Sequence, residues 1–514
     1  MSAPTSQPVP SGATAPAAPG GSPSRSARRT FAATDLGNAE RLVARHGPDL
    51  LFCAERRTWL VWDGVRWQPE RRGDVQARAI DTVRAIAEEG GTVRGVARKE
   101  LVSHARVSQR AERIGAMIRL AQSMVPVTPD ELDADPWLLT CANGTLDLRS
   151  GVLRLPERRD RITRMTPVAY DPAATSTRWE RFLREAVGGD EELVGYLQRA
   201  AGYAATGSTR ERAIVVLLGP TGTGKTTFLE LLRAALGDYG AVTPMTTLLG
   251  SQHGSSIPAD VAALAGARLV IASEADDAGP WDGAKLKLLT GGDSLTARHL
   301  YGQLFTFTPT HTLMLGTNRL PQLARVDEAL LGRLHVVPFA TPDPAVPRDC
   351  GLRAELELAL PAILAWIARG ALEWARTGLR PPTAIRAARE RYRDDHDPVG
   401  AWLRERADLA DRAAETRVRE VYEDYLAWCA RADETPLPER AFGSRLADAG
   451  LSRRRATHGE RRWVGVRLRG AEGDASDASS PPVAETDPMD ALFGVEATVT
   501  SVTTRTQSAA REAA

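Results

Sequence analysis

The segment that most restricts how this chain can fold is Gly219-Pro220-Thr221-Gly222-Thr223-Gly224-Lys225-Thr226, with the apolar run Ala213–Leu218 before it and a helix-like run from Thr227 to Ala235 after it. A strand that enters a glycine-rich turn and leaves as a helix is one unit of a parallel α/β sheet. The glycines let successive N–H groups face one anion, and the helix N-terminus adds its positive dipole end. Lys225 is expected to reach the β- and γ-phosphates of ATP. The Thr226 hydroxyl is expected to hold Mg²⁺, and the binding loop runs from Gly219, Pro220, Thr221, Gly222, Thr223 and Gly224 through Lys225 and Thr226 to Thr227.

Further signals follow at intervals. Arg268–Ser273 is an apolar strand reaching an acid, Glu274, which can polarise a water or help hold the metal; Asp276 or Asp277 is a possible helper. His311–Thr317 is a second apolar strand, ending in Asn318, whose amide can orient water against a γ-phosphate. Arg333 stands just before a third, His335–Phe339, where it can serve as a finger entering a neighbouring subunit's ATP site. Lys225, Glu274, Asn318 and Arg333 are the candidate catalytic set, and Thr226 and Glu274 the candidate metal pair.

Of the 66 basic residues only Lys99, Lys225, Lys285 and Lys287 are lysine, and three of these lie between 225 and 287. Lys285 and Lys287, followed by Gly291-Gly292-Asp293 and Arg298, are expected to form a projecting loop that grips a nucleic-acid backbone. Seven arginines against Glu460 make residues 453–469 strongly basic, so Arg453, Arg454, Arg461 and Arg462 are further candidate DNA contacts. Trp463 is expected to close a small core rather than to stack a base.

At 514 residues the chain exceeds a single core. No apolar stretch is long enough to cross a bilayer and no secretory leader is present, so no membrane role and a cytoplasmic location are expected. Four scattered cysteines argue against a zinc ribbon. Composition and periodicity divide the chain into a disordered leader (1–30), an α+β N-terminal domain (31–171), a P-loop ATPase core (172–345), a helical connector (346–395), a small domain of helices and a hairpin (396–470) and a disordered acidic tail (471–514). Within the tail, Leu492-Phe493 is the apolar island, faintly similar to peptides that dock on bacterial sliding clamps, and the tail is a candidate contact for replication proteins.

Taken together, these motifs resemble superfamily 3 helicases, and within them the phage/plasmid primase–helicase family and the poxvirus primase–helicase. Asp35–Glu40, Trp59–Trp67, Asn143–Leu148 and Trp179–Leu183 are similar to that family's N-terminal domain, and Gly219–Phe339 to its motor. The resemblance implies an AAA+-like core, a winged-helix-like, DNA-contacting domain at 396–470 and an ATP-driven replicative DNA helicase of a phage or mobile element. It also implies a ring, expected to be a hexamer, moving 3′→5′ on single-stranded or forked DNA. It assigns Lys287 with Gly291–Asp293 to the hairpin motif, and Arg333 to the finger. Ser273 stands where such motifs carry a first acid. With only a short leader before Thr34 and no zinc-ligand cysteines, primase activity is not expected. The alternative is an ATP-switched initiator or regulator that binds DNA without processive unwinding; a small-molecule kinase would leave the DNA-like modules idle.

Overall fold

The computed structural model describes residues 31–89, 95–249, 259–273, 280–298, 304–322, 327–341, 349, 351–395, 397–455 and 460–469. The leader, the acidic tail with Leu492-Phe493, and Glu274, Asp276 and Asp277 lie outside the described residues. Two compact units result: Met1–Val61 with Pro69–Pro129, and Trp62–Gln68 with Asp130–Ala514.

In the first unit, α1 (Asp35–His46) starts where Thr34 Oγ1 accepts the Gly37 N–H at 3.0 Å. The antiparallel strands β1 (Leu50–Cys53) and β2 (Thr58–Trp62) pair Leu50 with Val61. Helices α2 (Asp74–Glu89), α3 (Val96–Ser108) and α4 (Ala111–Ala121) complete the unit. Ala39 and Leu42 of α1, Val75, Ala79 and Val83 of α2, and Met117 and Ala121 of α4 share one apolar core. Arg41 is buried in it and donates to Glu89 and to the carbonyls of Ala32 and Phe31, so its charge and its N–H groups are partnered.

The second unit opens with a turn closed by the Asp63 N–H on the Arg66 carbonyl, leading into β3 (Trp67–Pro69). Strands β4 (Leu138–Cys141), β5 (Gly144–Asp147) and β6 (Val152–Arg154) form an antiparallel meander turning at Asn143-Gly144 and Ser150-Gly151. Leu139, Cys141, Leu146 and Leu148 of this meander enter the same core as the helices that follow, so the expected boundary near Asp171 does not coincide with a break in packing.

Helices α5 (Thr177–Ala186) and α6 (Glu191–Ala205), capped by Ser176 and Asp190, lead to β7 (Ile214–Leu218) and α7 (Lys225–Leu236). The chain then runs through β8 (Gly240–Val242), α8 (Ala259–Ala262), β9 (Leu269–Ser273), α9 (Gly283–Gly291), the hairpin β10 (Leu295–Arg298) and β11 (Leu304–Phe307), β12 (Thr312–Thr317), α10 (Glu328–Leu331) and β13 (Leu334–Pro338). Five of these strands form an all-parallel sheet in the order β13-β7-β12-β9-β8. Both faces of the sheet are covered, which is why its strands read as continuous apolar runs. Val215, Leu217 and Met314 pack toward α5, α6, α7 and the later helix α12 (Leu360–Thr377), where Trp179 and Phe228 stack at 5.9 Å. Ile214, Val216, Leu313 and Leu315 pack toward Leu286 and Leu289 of α9 and Leu330 and Leu331 of α10.

Helices α11 (Leu352–Leu358), α12 (Leu360–Thr377) and α13 (Thr383–Asp394) follow. Among the described residues no single helix is long and apolar enough to cross a membrane; α11 and α12 pass such a test only as a pair bent by 71°. The last portion comprises α14 (Pro398–Arg406), β14 (Ala407–Asp408), β15 (Glu415–Arg417), α15 (Val418–Ala432), α16 (Glu439–Asp448), β16 (Ser452–Arg455), β17 (Arg461–Val464) and β18 (Arg467–Leu468). It has its own core of Trp402, Tyr425, Trp428, Phe442, Leu446 and Trp463. Trp463 is only 1% exposed, as the sequence suggested.

Candidate nucleotide-binding site

Parallel register brings the sequence motifs to one edge of the sheet. Leu218 at the end of β7 lies opposite Thr317 at the end of β12, and Ser273 at the end of β9 lies opposite Gly316. The Gly219–Gly224 loop, Ser273 and Asn318 therefore share the carboxyl edge, where parallel α/β sheets bind their ligands. Glu274, the expected acid after Ser273, is outside the described residues.

The loop itself is built by close approach and left-handed backbone. Gly222 and Gly224 have φ of +89° and +90°. A Cβ on Gly224 would sit 2.7 Å from the Phe182 ring, and one on Gly219 would sit 2.5 Å from the Phe339 carbonyl oxygen. Phe182 and Phe339 thus press the loop against β7 and α7, a role that sequence spacing did not reveal. Lys225 opens α7 and is 4% exposed. Its Nζ donates to the carbonyls of Gly219 (2.6 Å) and Pro220 (2.7 Å), to Thr223 Oγ1 (3.3 Å) and to Asn318 Oδ1 (3.0 Å). Asn318 Nδ2 in turn donates to Thr221 Oγ1 at 3.2 Å. The ammonium, the amide and the loop form one network, while Thr226 is exposed at the start of α7. A loop with two glycines at positive φ, a helix N-terminus and an inward-turned ammonium fits a polyphosphate chemically.

Arg333 is elsewhere. It immediately precedes β13, whose first residue, Leu334, is level with Ile214, the first residue of β7. Arg333 therefore stands at the amino edge of the sheet. With five residues in β7, the two edges are on the order of 16 Å apart. Its Nη1 donates to the Lys287 carbonyl (2.7 Å) and to Thr290 Oγ1 (2.8 Å), both on α9. Burial, and then the nearby Arg212, lower its pKa from the usual arginine value.

The expected lysine loop is corrected. Lys285 and Lys287 lie on α9, because Asp282 caps that helix through the Lys285 N–H at 2.9 Å and the chain leaves it only at Gly292, with φ of +80°. Two positions apart on a helix point to different sides. Lys287 Nζ meets Asp327 Oδ2 at 2.6 Å, and the Lys287 ammonium holds the Asp327 carboxyl below its usual range. After α9 the chain forms the β10–β11 hairpin, with Leu295 and Ala297 buried on one side and Thr296, Arg298, Leu304 and Thr306 exposed on the other.

In the C-terminal portion, the pairing of β16 with β17 sets Arg454 opposite Arg462 and Arg455 opposite Arg461. Arg453 lies over the Trp463 ring at 4.5 Å, Arg454 meets Glu415 at 3.1 Å, and Arg461 is exposed. Arg462 is 3.6 Å from Glu460 and 3.9 Å from Glu415.

Several known proteins are similar to parts of this chain. Residues 39–188 match the family model described as "D5 N terminal like", and residues 217–333 match a "Family of unknown function (DUF5906)". The chain is 29% identical over 215 residues to "Putative helicase L207/L206" of Acanthamoeba polyphaga mimivirus, covering 40% of this chain. It is 23% identical over 362 residues to "Putative helicase 022R" of Frog virus 3 (isolate Goorha), covering 54% of this chain. The matched stretches span 22% and 37% of those relatives' own lengths. Among solved structures, the apo NrS-1 C-terminal region superposes with a TM-score of 0.51 at 10% identity, covering 84% of this chain and 99% of that one, which shows a shared fold. The two matching family models and the helicase-named viral relatives support a phage and viral primase–helicase-like family, to whose members the chain is similar over these stretches.

Proposed function

We propose that this chain is an ATP-dependent replicative DNA helicase of a phage or mobile genetic element, working as a ring in which each nucleotide site is completed by a neighbour. The observation that carries the reading is the separation of Lys225 and Arg333 to opposite edges of one sheet. An arginine side chain spans far less than that separation, so Arg333 can serve only the site of the next subunit, across a head-to-tail interface of the kind that closes rings. In this reading the glycine loop and Lys225 hold the β- and γ-phosphates, and Thr226, with Glu274, holds the metal. Asn318 orients the attacking water, and Arg333 neutralises charge at the transferring phosphoryl group. Bound Mg²⁺ supplies further neutralisation of the phosphate oxygens. The family resemblance supports a hexamer and 3′→5′ travel.

DNA contact is assigned to Lys285, to Arg298 at the β10–β11 hairpin, and to the arginines of a winged-helix-like C-terminal domain. Like charges directly opposite on paired strands repel. The Arg455–Arg461 pair is thus a local cost that a phosphate backbone would relieve, whereas Arg454 and Arg462 share Glu415. Strand displacement on a forked DNA tests the proposal. ATP-dependent unwinding by the parent, lost in Lys225→Ala and in Arg333→Ala, is the expected result. Nucleotide-dependent DNA binding with no unwinding would replace it with the ATP-switched initiator.

A further inference from the structure

Around Arg333 the hydrogen bonds close into a ring that joins two separate parts of the chain. Asp327 Oδ1 accepts the Leu330 N–H at 3.1 Å and so caps α10; the Arg333 N–H donates to the Leu330 carbonyl at 2.9 Å as the chain leaves that turn. The Arg333 guanidinium reaches across to the Lys287 carbonyl and Thr290 Oγ1 on α9, and the Lys287 ammonium returns to Asp327 Oδ2. Every link is 2.6–3.1 Å long. Beneath it, Leu286 and Leu289 of α9 pack with Leu330 and Leu331 in one core, which fixes the two elements at this spacing. Thr290 is buried, and its hydroxyl also donates to the Leu286 carbonyl at 2.7 Å, which leaves its lone pairs for Arg333.

We infer that Lys287, Thr290 and Asp327 are positioning residues for Arg333, and that the Lys287 side chain serves this ring rather than a nucleic-acid phosphate. The inference rests on the reading of Arg333 as a finger, and it replaces the DNA role expected for Lys287. An ammonium in contact with a carboxylate is largely neutralised as a phosphate ligand, and losing it would remove the side-chain link between α9, which holds the guanidinium, and Asp327, which caps α10. A finger acts only if its guanidinium is aimed before the γ-phosphate leaves, so loosening its supports lowers the rate of the step without changing how ATP is held. Because α9 runs through Gly291 and Gly292 directly into the β10–β11 hairpin, the ring also ties the finger to the root of the element assigned to DNA.

The test compares Thr290→Val, Asp327→Asn, Lys287→Ala and Lys287→Arg in the full chain. For the first three variants kcat for ATP is expected to fall by up to about 10²-fold with KM near the parental value. Lys287→Arg, which can still pair with Asp327, is expected to restore most of it. DNA affinity and its salt dependence should stay parental in Lys287→Ala. Modification of Arg333 by a dicarbonyl reagent, mapped by peptide mass spectrometry, should quicken several-fold in Thr290→Val and Asp327→Asn. Unchanged kcat and unchanged labelling in those two variants would overturn the inference. So would a Lys287→Ala chain that keeps kcat at saturating DNA but loses about one unit of the log–log salt slope of DNA binding. A parent that hydrolyses nothing would refute the ATPase reading instead, and the labelling rate of Arg333 would still decide the positioning role.

Discussion

Lys225→Ala and Arg333→Ala, each inactive alone, should restore one another when mixed. Lys225 sits at the carboxyl edge of the sheet and Arg333 at the amino edge, so no single chain can bring both to one nucleotide. Removing a transition-state arginine costs about 10³-fold or more in kcat, and loss of the loop lysine removes the main cation on the β- and γ-phosphates. In a ring assembled at random from equal amounts, half of the subunits keep the loop and half of their neighbours keep the finger. Those two halves are independent, so about a quarter of the interfaces are complete and about a quarter of parental kcat should return. The assay is steady-state phosphate release at fixed total protein, with the variants mixed before ring assembly on DNA. If the arginine acted within its own chain, every complete site would need both residues in one polypeptide and the mixture would stay at background. A mixture no better than the mean of its components therefore refutes the trans finger.

Other outcomes are equally specific. Gly224→Ala forces a side chain onto a residue at φ of +90° and within 2.7 Å of Phe182; it should lower unfolding free energy by about 1–3 kcal/mol in urea titrations and weaken nucleotide binding, and a stable, binding-competent variant would contradict the loop geometry. Trp463→Ala should destabilise the C-terminal core by about 3–5 kcal/mol, whereas Arg461→Ala should leave folding intact and reduce the salt slope of DNA binding by about 1. Burial pushes His311 and His335 down to about 4 from 6.5. The unfolded chain therefore takes up protons first as pH falls: their contribution is complete above pH 6.5 and is lost progressively toward pH 4. The slope should be about 1.4 kcal/mol per pH unit for each histidine, read from urea midpoints, and should flatten in the His311→Leu, His335→Leu double variant.

What was legible in the sequence was whatever a local rule encodes. Glycines at fixed offsets before Lys225, apolar runs buried on both faces of a parallel sheet, and a polar residue closing such a run located the loop and Asn318 without any tertiary information. The supports of that site were not legible. Phe182 and Phe339 touch the loop from α5 and from the end of β13, separated from it by dozens of residues, and nothing in their immediate neighbours marks them.

The stretch from Lys285 to Arg298 shows why the remainder was hidden. Its lysines looked like a pair because they are two apart, and the Gly-Gly-Asp turn that follows them suggested one projecting loop. The local evidence for a helix was present: Asp282 stands three residues before Lys285 as an N-cap, and the glycines come only after nine residues. What no local rule supplied was Asp327, forty residues further on, which takes up the Lys287 ammonium. A basic residue's partner is decided by the nearest carboxylate in space. In a chain with so many arginines, spacing alone therefore finds charged positions far better than it finds those that face DNA. The β16–β17 arginines show the same rule: strand register sets Arg455 opposite Arg461, while Glu415 stands beside both Arg454 and Arg462, so register and the nearest carboxylate, not the number of arginines, separate charges already answered within the chain from those a polyanion would have to answer.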